Sequence, residues 1–214
     1  MKKIILFIFP FIFLNCVSYY YVDVNSLGND KGIEKTYIIL PSTNVADNKL
    51  MFNEVKGYIV KMLSSKGYKL VDDYKIANLV LLVNYGIGEP QRITSTYSMP
   101  IFGQTGVSSS TTIGSSTYYR PSYGITGSTT STSTRIEYRR HLDIIAFDNQ
   151  AFINNNKEVQ LWHTSAVSSG SSKDLREVIP FMVAAIKGYV GTDTRKIIET
   201  RIPENDITKI EVKK

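Results

Sequence analysis

Asn78-Leu79-Val80-Leu81-Leu82-Val83-Asn84-Tyr85 is the stretch that decides the architecture. Its residues are apolar at odd and even positions alike, the pattern of a strand at the centre of a sheet and covered on both sides. Upstream, Thr36-Tyr37-Ile38-Ile39-Leu40 is a second β-rich run stopped by Pro41, and Tyr19-Tyr20-Tyr21-Val22-Asp23-Val24 is a third. Between residues 48 and 66, Phe52, Val55, Ile59, Met62 and Leu63 recur every three or four positions, with Lys56, Lys61 and Lys66 off that stripe. This spacing predicts an amphipathic helix, with Asp47 or Asn48 as N-cap and Gly67 as left-handed C-cap. A short strand over residues 68–71 follows.

Residues 92–134 break with this character. About half of them are Ser or Thr, and the stretch contains neither an acidic residue nor a lysine. Too few bulky aliphatic residues are present to build a core, so an exposed low-complexity insertion is expected here. Residues 135–144 then alternate, Ile136, Tyr138, Leu142 and Ile144 against Glu137, Arg139, His141 and Asp143, which reads as a half-exposed antiparallel strand. Strands over residues 78–87 and 135–147 therefore flank a hairpin-like arm with the polar segment at its tip. A merely flexible or family-variable loop is one reading of this arm; on the other it binds, with Tyr97, Tyr118, Tyr119 and Tyr123 as candidate side chains, for a glycan or for a partner that adds a strand. Membrane insertion is disfavoured because residues 108–112 and 128–134 lack apolar alternation.

Residues 149–157 read as an Asn-rich turn, 159–167 as a strand and 192–202 as a final edge strand before a frayed charged tail. Leu175, Val178, Ile179, Met182, Val183, Ile186 and Val190 share a helical face. Pro180 within that run implies either a kink or a helix starting later. The expected fold is α+β: a mixed or antiparallel sheet of about six to seven strands, two packed helices, and the long Ser/Thr/Tyr-rich arm, in one domain over residues 16–210.

The N-terminus supplies an address. Met1-Lys2-Lys3 precedes an apolar run from residue 4 to residue 14, and Asn15-Cys16 then holds the only cysteine of the 214 residues. The run is well short of the ~20 residues of a spanning helix and fits the charged and hydrophobic parts of an export signal. A lone cysteine at its end resembles the acceptor of a bacterial lipoprotein signal, with residues 1–15 removed and Cys16 carrying a diacylglyceryl group. An ordinary secretory signal cleaved near Cys16 or Ser18, or an uncleaved anchor, are the alternatives. One thiol forms no internal disulfide, so the fold depends on its core. The full chain carries +6, and +4 without Lys2 and Lys3; no basic run or aromatic-basic motif points to nucleic acid.

The only two histidines, His141 and His163, fall on strands expected to be neighbours, where Asp143 or Glu137 could join them at a metal, but their spacing matches no ligand motif. G-x-S-x-G is absent, and Gly86-Ile87-Gly88 lacks the third glycine and the following helix of a dinucleotide fingerprint. No catalytic residue, metal site or cofactor is expected.

Lys35-Thr36-Tyr37-Ile38-Ile39-Leu40-Pro41, Leu63-Ser64-Ser65-Lys66-Gly67-Tyr68, the run from Ala77 to Gly86, and Glu158-Val159-Gln160-Leu161-Trp162 together resemble the bacterial lipoproteins of domain-of-unknown-function family 4136. Those proteins show a strand ending in Leu-Pro, a helix closing on Lys-Gly-Tyr, an Ala-Asp-Leu strand and a Val-x-Trp strand; Asn78 stands here for the Asp, and His163-Thr164 for the basic residue and Gly after the Trp. The resemblance implies a membrane-anchored α+β domain with no catalytic residues to carry over. The function expected is a noncatalytic envelope lipoprotein, on the outer membrane facing the periplasm, that binds a protein partner or a cell-wall polymer such as peptidoglycan. Alternatives are a subunit of an oligomeric export or pore assembly and a hydrolase with an unrecognised site.

Overall fold

The computed structural model describes residues 18–205 except 29, 31 and 33. The export signal, Cys16 and the charged tail lie outside the described residues. The class is α+β, with eight strands and three helices among the described residues, in the order β1 (Tyr19–Gly28), β2 (Thr36–Pro41), α1 (Lys49–Ser64), β3 (Lys69–Leu70), β4 (Leu79–Ile87), β5 (Gln91–Ile113), β6 (Ser116–Asp148), α2 (Asn149–Asn155), β7 (Gln160–Gly170), α3 (Leu175–Ile186) and β8 (Ile198–Pro203). The chain divides into two compact units, one formed by the described residues up to Gly88 and from Arg139, the other by Glu89–Tyr138.

In the first unit the sheet order is β3-β2-β4-β6-β7-β1-β8, with β2 parallel to both β3 and β4 and the other recorded pairings antiparallel. β4 is central, as its continuous apolar run predicts. Its two faces are not equally dry, however. Leu79, Leu81 and Val83 are fully buried, whereas Val80 and Leu82 remain partly accessible. The buried set joins Tyr37, Ile39, Leu142, Ile144, Ala146, Trp162, Val22 and Val24 in one cluster with Phe52, Val55, Ile59, Met62 and Leu63 of α1 and Val178, Ile179, Met182, Val183 and Ile186 of α3. Both long helices therefore cover the same face.

Local chemistry sets the element ends. Asn48, rather than Asp47, caps α1 by accepting from Met51 N at 3.1 Å, and Gly67 closes it at φ +81°. Asp174 caps α3 through Arg176 N at 2.9 Å, so that helix starts at Leu175 and Pro180 lies in its interior. Asp30 accepts from the Tyr68 hydroxyl at 2.5 Å and pairs with Lys35 at 2.8 Å. Burial pushes the Asp30 carboxyl up, but those two partners outweigh it and hold the group below its ordinary value. Tyr37 has no such partner, and burial pushes its phenol up to about 12.

Two sequence expectations change. Residues 149–157 contain a helix, because Asp148 accepts from Ala151 N at 2.9 Å at its start and Asn156 takes a left-handed φ of 49° at its end. The buried Asn149 side chain donates to the carbonyls of Tyr74 (2.6 Å) and Ala77 (2.8 Å) and fastens the helix to the preceding loop. The Ser/Thr-rich stretch is likewise paired rather than looped. In the second unit β5 runs antiparallel to β6 from Gln91↔Glu137 to Ile113↔Ser116, turning at Gly114 with φ +64°.

Candidate functional site

Hydroxyl side chains face one another along the hairpin of the second unit. Thr94 and Thr134 lie at 3.4 Å, Thr112 and Thr117 at 3.2 Å, and Thr105 and Ser122 at 3.2 Å. Cross-strand Thr pairs of this kind favour pairing without needing a core. At about 3.3 Å per residue the paired length is roughly 75 Å, and three register shifts interrupt the ladder.

The pairing assigns side chains to faces. Tyr97 and Tyr118 fall on one face, Tyr119 and Tyr123 on the other, so the four predicted tyrosines do not form one surface, although each is at least half exposed. Tyr119, Tyr123 and Ile125 share a face with Phe102, the partner of Ile125, and with Val107, the partner of Pro121. All five are more than half exposed, Phe102 at 71% and Tyr123 at 72%. Phe102, Val107 and Ile125 are not among the four predicted side chains; the first two are hidden because the bulges break the alternation of β5. The period-two run Tyr119, Pro121, Tyr123, Ile125 on β6 is a sequence signal for Ile125, while Phe102 and Val107 join the face only through the register. Among the described residues β5 pairs only with β6, which leaves its outer edge open.

In the first unit, β1 enters at the end of the sheet where the chain departs at Gly88 and returns at Arg139. Ile87 pairs with Arg140, Gly88 N donates to Arg139 O at 2.7 Å, and Tyr19, Arg140 and Gly170 line one cleft of about 280 Å³. Arg140 is buried there and donates to the carbonyl of Ser172 at 3.1 Å, while Tyr20 donates to Glu177 at 3.1 Å. Burial, then that carboxylate, push the Tyr20 phenol up to about 12.

Of the two histidines, His163 meets a carboxylate, its Nε2 lying 3.1 Å from Asp143 Oδ1. The His141 ring lies over Gly86, where an added Cβ would come within 2.6 Å of it. Neither histidine lines the Tyr19–Arg140 cleft, and no group of three metal-ligating side chains occurs among the described residues. Glu137 pairs instead with Arg135 at 2.7 Å. On the partly accessible sheet face a larger cavity, about 740 Å³, is lined by Ile38, Leu40, Val80, Leu82, Phe147 and α2. No described helix is long and apolar enough to cross a membrane.

No family model matches the chain, and no curated protein matches it. Among solved structures it is similar to a PDZ domain protein from Parabacteroides distasonis, at 13% identity and a TM-score of 0.43. The similarity covers 86% of this chain and 39% of that one.

Proposed function

We propose that this chain is a noncatalytic envelope lipoprotein, anchored through Cys16, that uses the hairpin Glu89–Tyr138 to dock a protein partner beside the membrane. The hairpin carries this reading. It shows an exposed aromatic and aliphatic patch, an unpaired 23-residue strand edge and no acidic or lysine side chain between residues 90 and 136. Natural edge strands are blunted by charges, especially lysines. An edge whose one charged side chain is Arg92 suits strand addition, with aromatic side chains as anchors. The place where the chain leaves the core supports the same reading, since Gly88 and Arg139 lie at the sheet end where β1 begins, three residues after Cys16.

The open edge also supports a second reading, assembly of several copies through their hairpins into an export or pore structure. Crosslinking in native membranes separates the two: a heterologous partner supports docking, and a ladder of copies supports assembly.

The anchor is tested by mass spectrometry of the mature N-terminus. A diacylated Cys16 is expected, with Cys16→Ser shifting the protein from the membrane pellet to the supernatant. An unmodified N-terminus with unchanged partitioning overturns the anchored reading.

A further inference from the structure

The 740 Å³ cavity lies within the size range of small-ligand sites. Its floor is the sheet face that α1 and α3 leave uncovered, Ile38 and Leu40 of β2, Val80 and Leu82 of β4, and Phe147 of β6. Its roof is α2, which contributes Phe152 and Ile153.

The roof is held in place by its polar side chains. Besides the two Asn149 bonds, Gln150 donates to the carbonyl of Ala77 at 3.0 Å, so α2 is tied to residues 74–77 without using Phe152 or Ile153. Those two side chains stay 56% and 41% exposed. An apolar roof held by polar bonds over an apolar floor leaves apolar surface in water, which an apolar ligand would cover.

Charge at the rim narrows the ligand. Asp148 and Glu158 line the cavity together with Asn156, and no lysine, arginine or histidine does. Neither carboxylate has an ion-pair partner among the described residues, and Asp148 uses one oxygen on the α2 cap. We infer that this cavity is a binding site for a small amphiphile with an aliphatic chain and a cationic, ammonium-type head, the chain lying between sheet and α2 and the head beside Glu158.

The test is calorimetric titration of the full chain with alkyltrimethylammonium ions of eight, ten and twelve carbons below their micelle concentrations, with the matching alkyl sulfates as anionic controls. At about 0.8 kcal/mol per buried methylene, affinity for the cations is expected to rise about fourfold per added carbon, and alkyl sulfates should bind at least tenfold more weakly. Glu158→Gln should weaken cation binding severalfold and leave a neutral alkyl glycol of the same length unchanged. Phe152→Ser should weaken both, with an unshifted melting temperature because Phe152 is exposed. Equal affinity for sulfate and ammonium heads, indifference to both substitutions, or no binding overturns the site.

Discussion

Excising Glu89–Tyr138 and joining Gly88 to Arg139 through a two-residue Asn-Gly turn is expected to leave a folded seven-stranded core while abolishing partner capture in native membranes. The buried cluster contains no residue from this segment. Ile87 and Arg140 already pair, as do Gly88 and Arg139 through a 2.7 Å hydrogen bond, so a tight hairpin turn fits the gap. The melting temperature should stay within a few degrees of the intact chain, consistent with surface changes of at most ~0.5 kcal/mol and ~2–4 °C per kcal/mol at this size. Crosslinked partner should fall to background. Paired substitution of Phe102 and Tyr123 by Ser, which keeps the hairpin, should reduce capture at least tenfold, because each removes an exposed aromatic anchor. Retention of the partner by the shortened chain would assign docking to the core instead.

The largest effect on stability is expected at Gly28. This residue ends β1 at φ +85°, and an added Cβ would lie 2.2 Å from the carbonyl oxygen of Leu161 on β7. The left-handed backbone alone costs an L-residue about 1–2 kcal/mol, and relieving the clash means moving backbone of a paired strand, about 1–3 kcal/mol more. Gly28→Ala should therefore lose roughly 2–5 kcal/mol and lower the melting temperature by about 5–15 °C. Gly67 is the matched control: its φ is +81°, but no atom lies within 4 Å of an added Cβ. Gly67→Ala should lose only the backbone share, about 1–2 kcal/mol. Equal losses at the two positions, measured by denaturant titration, would show that the approach of Gly28 to Leu161 is relieved at little cost.

The core was legible in the sequence for a physical reason. Burial imposes periodicity, and the three- and four-residue spacing of Phe52, Val55, Ile59, Met62 and Leu63 marks the face that α1 buries. The apolar run of β4 marked its central place, but not that Val80 and Leu82 face a cavity rather than a second packed layer, because an unfilled apolar surface and a filled one demand the same residues. The helix at residues 149–155 was hidden because side-chain hydrogen bonds from Asn149 and Gln150 fasten it, and such bonds leave no hydrophobic period. Ser and Thr build no core, so their run in the hairpin reads in the sequence as an exposed insertion at the tip of an arm. Strand pairing asks only for backbone partners and tolerable side chains, which Thr and Tyr supply. Its Phe102, Tyr119, Tyr123 and Ile125 face became visible only once the register across the bulges was known.

A two-stranded ribbon without a packed face is at best marginally stable in water. That property makes hydrogen exchange, followed peptide by peptide, the most direct test of a docked hairpin. The comparison is between the chain in native membranes and the purified, unanchored Cys16→Ser protein. Amides of residues 91–137 are expected to exchange rapidly in the purified protein and to be strongly protected in membranes, with the β4 and β7 amides equally protected in both. Equal protection of the hairpin in both samples, or rapid exchange in both, would contradict the claim that the hairpin acts by being bound.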